Sequence, residues 1–130
     1  MSAFSDALSV TSSGLKAQSQ RLRTLAENIA NADTPGYRRK TIPFTSQPES
    51  SSELTRVVPG KVSLDRKELA QIYDPGHPLA DGSGHYLGSN VDLLIELADA
   101  REAQRSYEAN LKMFEQTRQM SSGLLDLLRR

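Results

Sequence analysis

Hydrophobic side chains recur at helical spacing near the start of the chain. Between residues 3 and 32, two rows of positions each repeat every seven residues, and their offsets alternate between four and three, which is typical of a coiled-coil seam. The first row is Leu8, Leu15, Leu22 and Ile29, and the second is Phe4, Thr11, Gln18, Leu25 and Ala32. Because Ser12, Ser13 and Gly14 are poor helix formers, we expect about the first fifteen residues to be disordered in an isolated subunit.

A second and longer helix is predicted over residues 91–128. Its two rows are Leu97, Gln104, Leu111, Arg118 and Leu125, and Ala100, Tyr107, Phe114, Ser121 and Leu128. Asn90 suits the N-cap position, and the helix would be about 57 Å long at 1.5 Å per residue. The apolar stripe widens toward the C-terminal end through Met113, Met120, Leu124 and Leu127. We therefore expect the terminal helices to pair as an antiparallel coiled coil, with surplus apolar surface that favours polymerisation.

The segment between the two helices is rich in chain-breaking residues. Residues 37–90 hold five of the six prolines, and short strands are predicted around Ile42 and Phe44 and around Val62 and Leu64. Residues 45–52 are polar and are predicted to form a flexible loop. The predicted fold is mainly α with a small β insert. Its parts are an N-terminal helix (1–33), a loop- and β-rich insert (34–90) and a C-terminal helix (91–130), with termini partly disordered in the monomer.

Composition narrows the possible functions. Hydrophobic residues make up 37% and aromatic residues 5%, which is low for a globule that encloses a deep active site. The formal net charge is zero, which does not favour nucleic acid as a partner. The chain has no cysteine, so disulfides and thiol chemistry are excluded. We expect no cleaved signal peptide, because residues 1–6 lack a positively charged start followed by an apolar block. We also expect no direct membrane insertion, because no apolar run approaches the roughly 20 residues that span a bilayer.

One loop in the insert carries residue types that bind metals. Asp74, His77, Asp81 and His85 are spaced three, four and four residues apart, but the prolines and glycines among them rule out one helical face. An ordinary turn with solvent-facing side chains is the favoured interpretation. Residues 81–92 have the length of an EF-hand loop but lack its central glycine and final glutamate. We predict no catalytic, cofactor-binding or metal-binding residues, and a small enzyme that uses the His77–His85 loop is the weakest hypothesis.

The end of the first helix resembles a known family signature. Residues 25–39 are similar to the N-terminal signature of flagellar rod and hook proteins. The residues that form this assembly signature are Asn28, Ile29, Ala30, Asn31, Asp33, Thr34, Pro35, Gly36 and Tyr37. Pro35 ends the helix, and Pro35-Gly36 suits the centre of a type II turn with Gly36 at positive φ. Small alanines allow close helix approach, and the two asparagine amides can satisfy backbone groups left open at the helix end.

Two later stretches narrow the resemblance to the proximal rod. Residues 73–81, followed by 84–86 and 90–91, and residues 105–110 look like one branch of the proximal rod proteins. The uninterrupted Thr34-Pro35-Gly36-Tyr37 also suits the sister protein FlgB. The resemblance implies a structural subunit of the basal-body proximal rod, which polymerises into a helical tube that transmits torque. It also implies export by the flagellar type III apparatus without signal cleavage, and assembly in the periplasm beside FlgB, FlgF and FliE. A coiled-coil adaptor that never polymerises is the alternative.

Overall fold

A computed structural model describes residues 3–50 and 53–129 of the chain. Two long helices lie at the two ends of the sequence: α1 spans Ala3–Ala30 and α2 spans Leu93–Leu128. The mainly helical class with a small β insert is therefore confirmed. In this structure α1 is continuous from Ala3. The disorder that we expect at the termini of an isolated subunit stays a prediction.

The predicted N-cap of the second helix is wrong. Asp92, and not Asn90, caps α2, because its Oδ1 accepts a hydrogen bond from the Leu94 N–H at 3.0 Å. The Asn90 side chain instead accepts a hydrogen bond from the Arg39 N–H at 2.6 Å. A short polar side chain just before a helix can either cap that helix or bond to a distant segment. Asn90 does the second, because it bonds to the backbone of Arg39.

The two helices pack against each other in opposite directions. Asn28 of α1 meets Glu96 of α2, Arg21 pairs with Glu102 at 3.7 Å, and Gly14 lies against Asn110. The residue numbers in each contacting pair add to 123 or 124, as they must when two helices run antiparallel at a fixed register. The described start of α1, at Ala3, therefore falls opposite about residue 121 of α2. The antiparallel arrangement is therefore observed, whereas a coiled-coil geometry for this pair stays a prediction. The last turns of α2 extend past the described start of α1.

The insert forms three small antiparallel sheets of two strands each within the described residues. The strands are β1 (Lys40–Thr41), β2 (Phe44–Pro48), β3 (Thr55–Pro59), β4 (Ser63–Leu64), β5 (Gln71–Tyr73) and β6 (His85–Leu87). β2 pairs with β3 as a hairpin nested inside the β1–β4 pair, and β5 pairs with β6. The flexible loop predicted over residues 45–52 is wrong at its start, because residues 45–48 pair with β3. A polar segment can form a β-hairpin, because hydrogen bonds between backbone groups pair its two strands whatever the side chains are.

The interior of the described chain is small and unusually polar. The buried apolar residues are Ala17, Leu25 and Ala103, whereas the buried polar residues are Thr11, Asn28, Ser89 and Glu96. The two largest fully buried side chains are those of Asn28 and Glu96. No helix in the described part of the chain is long and apolar enough to cross a membrane. The fold therefore concentrates its specific contacts in a polar region where α1, the insert and α2 meet.

Candidate functional site at the helix junction

Asn28, in the last turns of α1, holds the first segment of the insert. It is completely buried, and its Oδ1 accepts hydrogen bonds from the Lys40 N–H and the Tyr37 hydroxyl, both at 2.9 Å. Its Nδ2 donates to the Lys40 carbonyl at 2.9 Å and to Glu96 Oε2 at 3.3 Å. The amide thus makes the two hydrogen bonds to Lys40 that a neighbouring strand would make. Since all four bonds are made, the side chain fixes the direction in which the chain leaves α1.

Glu96, in the first turns of α2, completes the same cluster from the opposite helix. Its carboxylate is fully buried and accepts from both Asn28 and Arg39 Nε. The Arg39 guanidinium also contacts Asp99 Oδ2 at 3.3 Å and Asp65 Oδ2 at 3.8 Å. A buried carboxylate is tolerated when a guanidinium and a second donor satisfy it. One cation is therefore surrounded by carboxylates from α2 and from the insert, which ties these two parts together.

A tight turn connects α1 to the cluster. The Tyr37 N–H donates to the Thr34 carbonyl at 3.2 Å, and Gly36 has φ 75°, which agrees with the predicted Pro35-Gly36 turn. The Gly36 N–H donates to the Leu87 and Gly88 carbonyls of the insert. The turn is therefore anchored at its glycine to the end of β6.

Tyr37 follows this turn and faces the cluster. Burial raises the pKa of the Tyr37 phenol, and the negative charges of Glu27 and Glu96 raise it further, while Lys40 lowers it. The neutral hydroxyl is the form that donates to Asn28. Nearby, a hydrogen bond to the Glu27 carboxylate raises the pKa of the Lys40 ammonium, with 2.5 Å between Nζ and Oε1.

The segment before α2 closes the cluster on its other side. Asn90 Nδ2 donates to the carbonyls of Asp65 and Lys67 at 3.1 and 3.0 Å, and Ser89 Oγ donates to the Ala32 carbonyl. Together with the Asn90 contact to Arg39, these bonds connect the end of α1, the strand region near residue 65 and the start of α2. We call the set of Asn28, Tyr37, Arg39, Asn90 and Glu96 the junction cluster.

The assembly signature is divided between the interior and the surface. Asn28 is buried, whereas Ile29, Asn31 and Tyr37 are half-buried. The exposed members are Ala30, Asp33, Thr34, Pro35 and Gly36. Asn31 Nδ2 donates to the Glu27 carbonyl at 2.9 Å, but this carbonyl already accepts a hydrogen bond from the Asn31 N–H at 3.1 Å, so the amide does not satisfy an open backbone group here. The buried half builds the junction cluster, and the exposed half stays available at the surface of this chain.

The predicted seam residues also divide into two groups. Leu25 is buried, and Leu8, Leu15, Leu22, Ile29, Tyr107 and Phe114 are half-buried. In contrast, Leu97, Leu111, Leu125 and Leu128 are exposed. The face of α2 nearest to α1 carries Glu96, Ala103 and Asn110, one position before the predicted row. The chain therefore does not bring all seam residues together, and a role for the exposed ones in assembly stays a prediction.

The loop with the two histidines is organised by local hydrogen bonds and ring contacts. Asp81 Oδ1 accepts from Ser83 N, Ser83 Oγ and His85 N, and the Ser83 hydrogen bond is the largest cause that lowers the pKa of Asp81. The His77 ring stacks on Tyr86 with 3.8 Å between ring centroids. Among residues 3–50 and 53–129, no three acidic or histidine side chains lie close enough to hold a metal ion.

Residues of the junction cluster outside the signature could not be identified from periodicity. Glu96 lies on a helix rich in charged residues, and its sequence position does not separate it from exposed neighbours such as Glu102. Arg39 and Asn90 are distant in sequence and meet only through the turn at Pro35-Gly36. The available signal was the resemblance itself, which covers Arg39 and Asn90 but not Glu96.

Two segments of this chain match families of flagellar basal-body rod proteins. Residues 8–38 match the family described as Flagella basal body rod protein, and residues 83–127 match the family described as Flagellar basal body rod FlgEFG protein C-terminal. The matched segments contain most of the junction cluster and most of both helices. The chain belongs to the flagellar basal-body rod proteins, a family of structural proteins and not of enzymes.

Full-length relatives identify the branch within this family. The flagellar basal-body rod protein FlgC of Agrobacterium fabrum is 47% identical, over 99% of this chain and 98% of the relative. The FlgC proteins of Escherichia coli O6:H1 and Salmonella typhimurium are 33% and 32% identical, each over 91% of this chain and 92% of the relative. The resemblance to the FlgC branch, rather than to FlgB, is thereby confirmed, and the chain is a structural rod subunit.

Proposed function

We propose that this chain polymerises with other axial proteins into the proximal part of the flagellar rod, a helical tube that transmits torque. The observation that carries the proposal is the distribution of apolar surface on α2. Leu94 is 78% exposed and Leu128 is 81% exposed, and many other large apolar side chains of this helix are exposed as well. Surfaces of this kind mark contacts with other proteins.

The junction cluster has a mechanical role in this proposal. Torque passes through a subunit only if its helices and its insert keep a fixed relative orientation. Hydrogen bonds of Asn28 to Lys40, and the ion pair of Arg39 with Glu96, connect all three parts through buried groups. Buried polar networks with every partner present favour one arrangement over alternatives. The cluster therefore acts as the rigid joint of the subunit.

The remaining parts of the proposal concern location and neighbours. The subunit reaches the periplasmic basal body through the flagellar type III export apparatus without signal cleavage, and it contacts FlgB, FlgF and FliE there. Family membership supports assembly with basal-body components in general. The terminal helices gain their final order in the assembly, where packing stabilises them.

Deletion of the gene tests this function. We expect the strain to be non-motile, to lack a complete rod and to recover swimming when the wild-type chain is expressed. Normal swimming of the deletion strain would favour the non-polymerising adaptor. Cryo-electron microscopy of basal bodies then tests the architecture. Proximal-rod density that cannot accommodate residues 3–30 and 93–128 as adjacent helices would overturn the placement.

A further inference from the structure

The chain covers several free edges of its small sheets with its own groups. In a two-stranded sheet each strand has one edge that its partner does not cover, and every second residue points its backbone N–H and C=O groups out of that edge. At β1, the Asn28 amide bonds to both backbone groups of Lys40. At β3, Ser13 Oγ accepts a hydrogen bond from the Val57 N–H at 3.4 Å. Side chains of α1 therefore occupy these two edges.

The loop between β5 and β6 covers the edge of β6 in the same way. The Asp81 N–H donates to the His85 carbonyl at 2.8 Å, and Asp81 Oδ1 accepts from the His85 N–H at 3.1 Å. The Leu87 carbonyl accepts from the Gly36 N–H at 3.2 Å. The outer edge of β6 is therefore occupied by its own loop and by the turn after α1.

The outer edge of β5 is open instead. The Asp74 N–H donates to the Gly84 carbonyl at 2.9 Å, on the side of β6. Because the bonded pairs of an antiparallel ladder fall on every second residue, Ile72 also bonds toward β6, whereas Gln71 and Tyr73 point their N–H and C=O groups away from it. Within residues 3–50 and 53–129, no hydrogen bond is made to these four groups. All three residues of β5 are exposed.

Two other strands are less suited to pair with a neighbour. β4 is two residues long and points the backbone groups of only one of them outward. β2 ends at Pro48, which has no N–H, and its residues 45–47 are exposed and polar, so an added strand would bury little apolar surface there. β5 instead carries Ile72 and Tyr73, which are 39% and 67% exposed. An added strand would cover apolar surface on both faces of this hairpin, since successive side chains of a strand point to opposite faces.

We propose that the open edge of β5 receives an extended segment of another rod protein, which adds a third strand to the β5–β6 hairpin. This inference rests on the proposed rod function and names one contact within it. N–H and C=O groups that recur every second residue along an edge are complementary to a second polypeptide backbone in extended conformation. The partner of this edge is therefore a protein segment.

Side chains beside the open edge indicate which segment fits. Tyr73 presents its ring on one face of the hairpin. Asp74 is exposed on the other face, and no ion pair in the described part of the chain involves its carboxylate. A segment that places an apolar side chain beside Tyr73 and a basic side chain beside Asp74 is complementary to both. These two side chains are neighbours in the incoming sequence, because successive residues of a strand alternate between faces.

A second copy of this chain is a poorer occupant of the edge. Two β5 edges that pair with each other would make a symmetric contact, which closes after two molecules and does not extend a rod. The edges of β1, β3 and β6 in a second copy would already be occupied, as they are in the first. The added strand is therefore assigned to a different protein.

Substitutions at Gln71 test the backbone contact. Gln71→Pro removes one outward N–H and leaves the bonds between β5 and β6 in place, and proline is tolerated at the first residue of a strand. Gln71→Ala is the matched control, because it keeps the N–H and removes the side chain. We expect Gln71→Ala to swim like the wild type in soft agar and Gln71→Pro to lose most of its swimming, with equal stability of both monomers in urea. Normal swimming of Gln71→Pro would overturn the proposal.

Hydrogen exchange provides a second measurement, which needs no substitution. In the isolated wild-type chain, the amides of Gln71 and Tyr73 should exchange quickly, whereas the amide of Ile72 is protected by β6. In isolated basal bodies, we expect exchange at both outward amides to slow by about tenfold or more, because they become hydrogen-bonded. Equally fast exchange at Gln71 and Tyr73 in both samples would overturn the proposal, whatever the stability of Gln71→Pro.

Photo-crosslinking identifies the occupant. With p-benzoylphenylalanine at position 71, illuminated basal bodies should give one adduct with another rod protein, at a segment that contains adjacent apolar and basic residues. Position 82 is the control, because Gly82 lies in the loop that covers β6 and a side chain there meets nothing within 4 Å. An adduct between two copies of this chain, or an adduct with the same segment from position 82 and none from position 71, would overturn the proposal.

Failure of this contact is distinguishable from failure of the rod function. Complete rods in which the amides of Gln71 and Tyr73 still exchange quickly would overturn the contact and leave the rod function standing. A deletion strain that swims normally would overturn both.

Discussion

The junction cluster and the end of α2 invert the usual distribution of side chains in a globular protein. We call the exposed apolar residues at the end of α2 the C-terminal patch, namely Met120, Leu124, Leu127 and Leu128. Asn28 and Glu96 are fully buried although they are polar, whereas Leu124 and Leu127 are exposed although they are apolar. At the junction, hydrogen-bond and ion-pair partners within the same chain satisfy the buried groups. At the end of α2, the described part of the chain offers no cover. The chain thus satisfies its buried polar groups by itself, whereas the proposed function assigns its exposed apolar surface to contacts with other subunits.

This contrast separates two kinds of damage. A substitution in the junction cluster removes bonds that the isolated chain already makes, so it changes the free energy of unfolding of the monomer. A substitution in the C-terminal patch should leave the monomer unchanged and, on the proposed function, should impair rod formation.

The largest expected effect follows the substitution Asn28→Asp. It removes the donor that serves the Lys40 carbonyl and places a carboxylate beside Glu96, so we expect a loss of about 3–5 kcal/mol in the free energy of unfolding. Urea denaturation followed by circular dichroism measures it. Adding Glu96→Gln restores a donor in the pair and should recover part of the loss. Wild-type stability of the single variant would show that the cluster does not hold the junction.

Gly36→Ala should cost less. The positive φ of 75° at Gly36 disfavours any side chain, although nothing lies within 4 Å of an added Cβ, so we expect about 1–2 kcal/mol from backbone strain alone. Gly82→Ala is the matched control, because its Cβ also meets nothing within 4 Å and its φ is not positive. Equal effects of the two substitutions in urea denaturation would contradict the assigned turn.

Tyr37→Phe removes the hydroxyl that donates to Asn28 and should cost about 1 kcal/mol. Because the folded-state pKa of Tyr37 is raised, its contribution is fully present below the unfolded pKa and is lost as pH rises through the folded value. Stability of the wild type should therefore fall above about pH 10, and Tyr37→Phe should reduce this fall. Denaturation at a series of alkaline pH values checks it, and identical pH profiles would count against the hydrogen bond.

The smallest effect on the monomer is expected for Leu124→Glu with Leu127→Glu. Both side chains are exposed, so stability should stay within about 0.5 kcal/mol of the wild type. Swimming in soft agar should nevertheless be lost, because the proposed contact between subunits would bury the two introduced charges. Gln116→Glu with Gln119→Glu, at exposed polar positions of the same helix, should leave swimming intact. Normal swimming of the leucine variant would remove the proposed role of the patch.

The amino-acid sequence by itself determined both terminal helices, the exit turn and the family. These features depend on local periodicity, on Pro35 and Gly36, and on a contiguous signature, all of which lie within a few turns of chain. The surplus apolar stripe was also predicted, because it is a property of one helix.

Only the tertiary structure decided which polar residues are buried and which face of α2 meets α1. Glu96 became the buried partner of Arg39 because the antiparallel packing of two distant segments brings them together. Periodicity could not show which face of α2 is buried, because apolar and polar residues are mixed along the helix and two rows that differ by one residue fit the pattern about equally well. Asn90 was assigned to a cap because local chemistry favours that use, whereas its observed bond joins it to Arg39, which is 51 residues away. Hairpin β2–β3 was missed for a related reason, since backbone pairing between segments, and not composition, forms it.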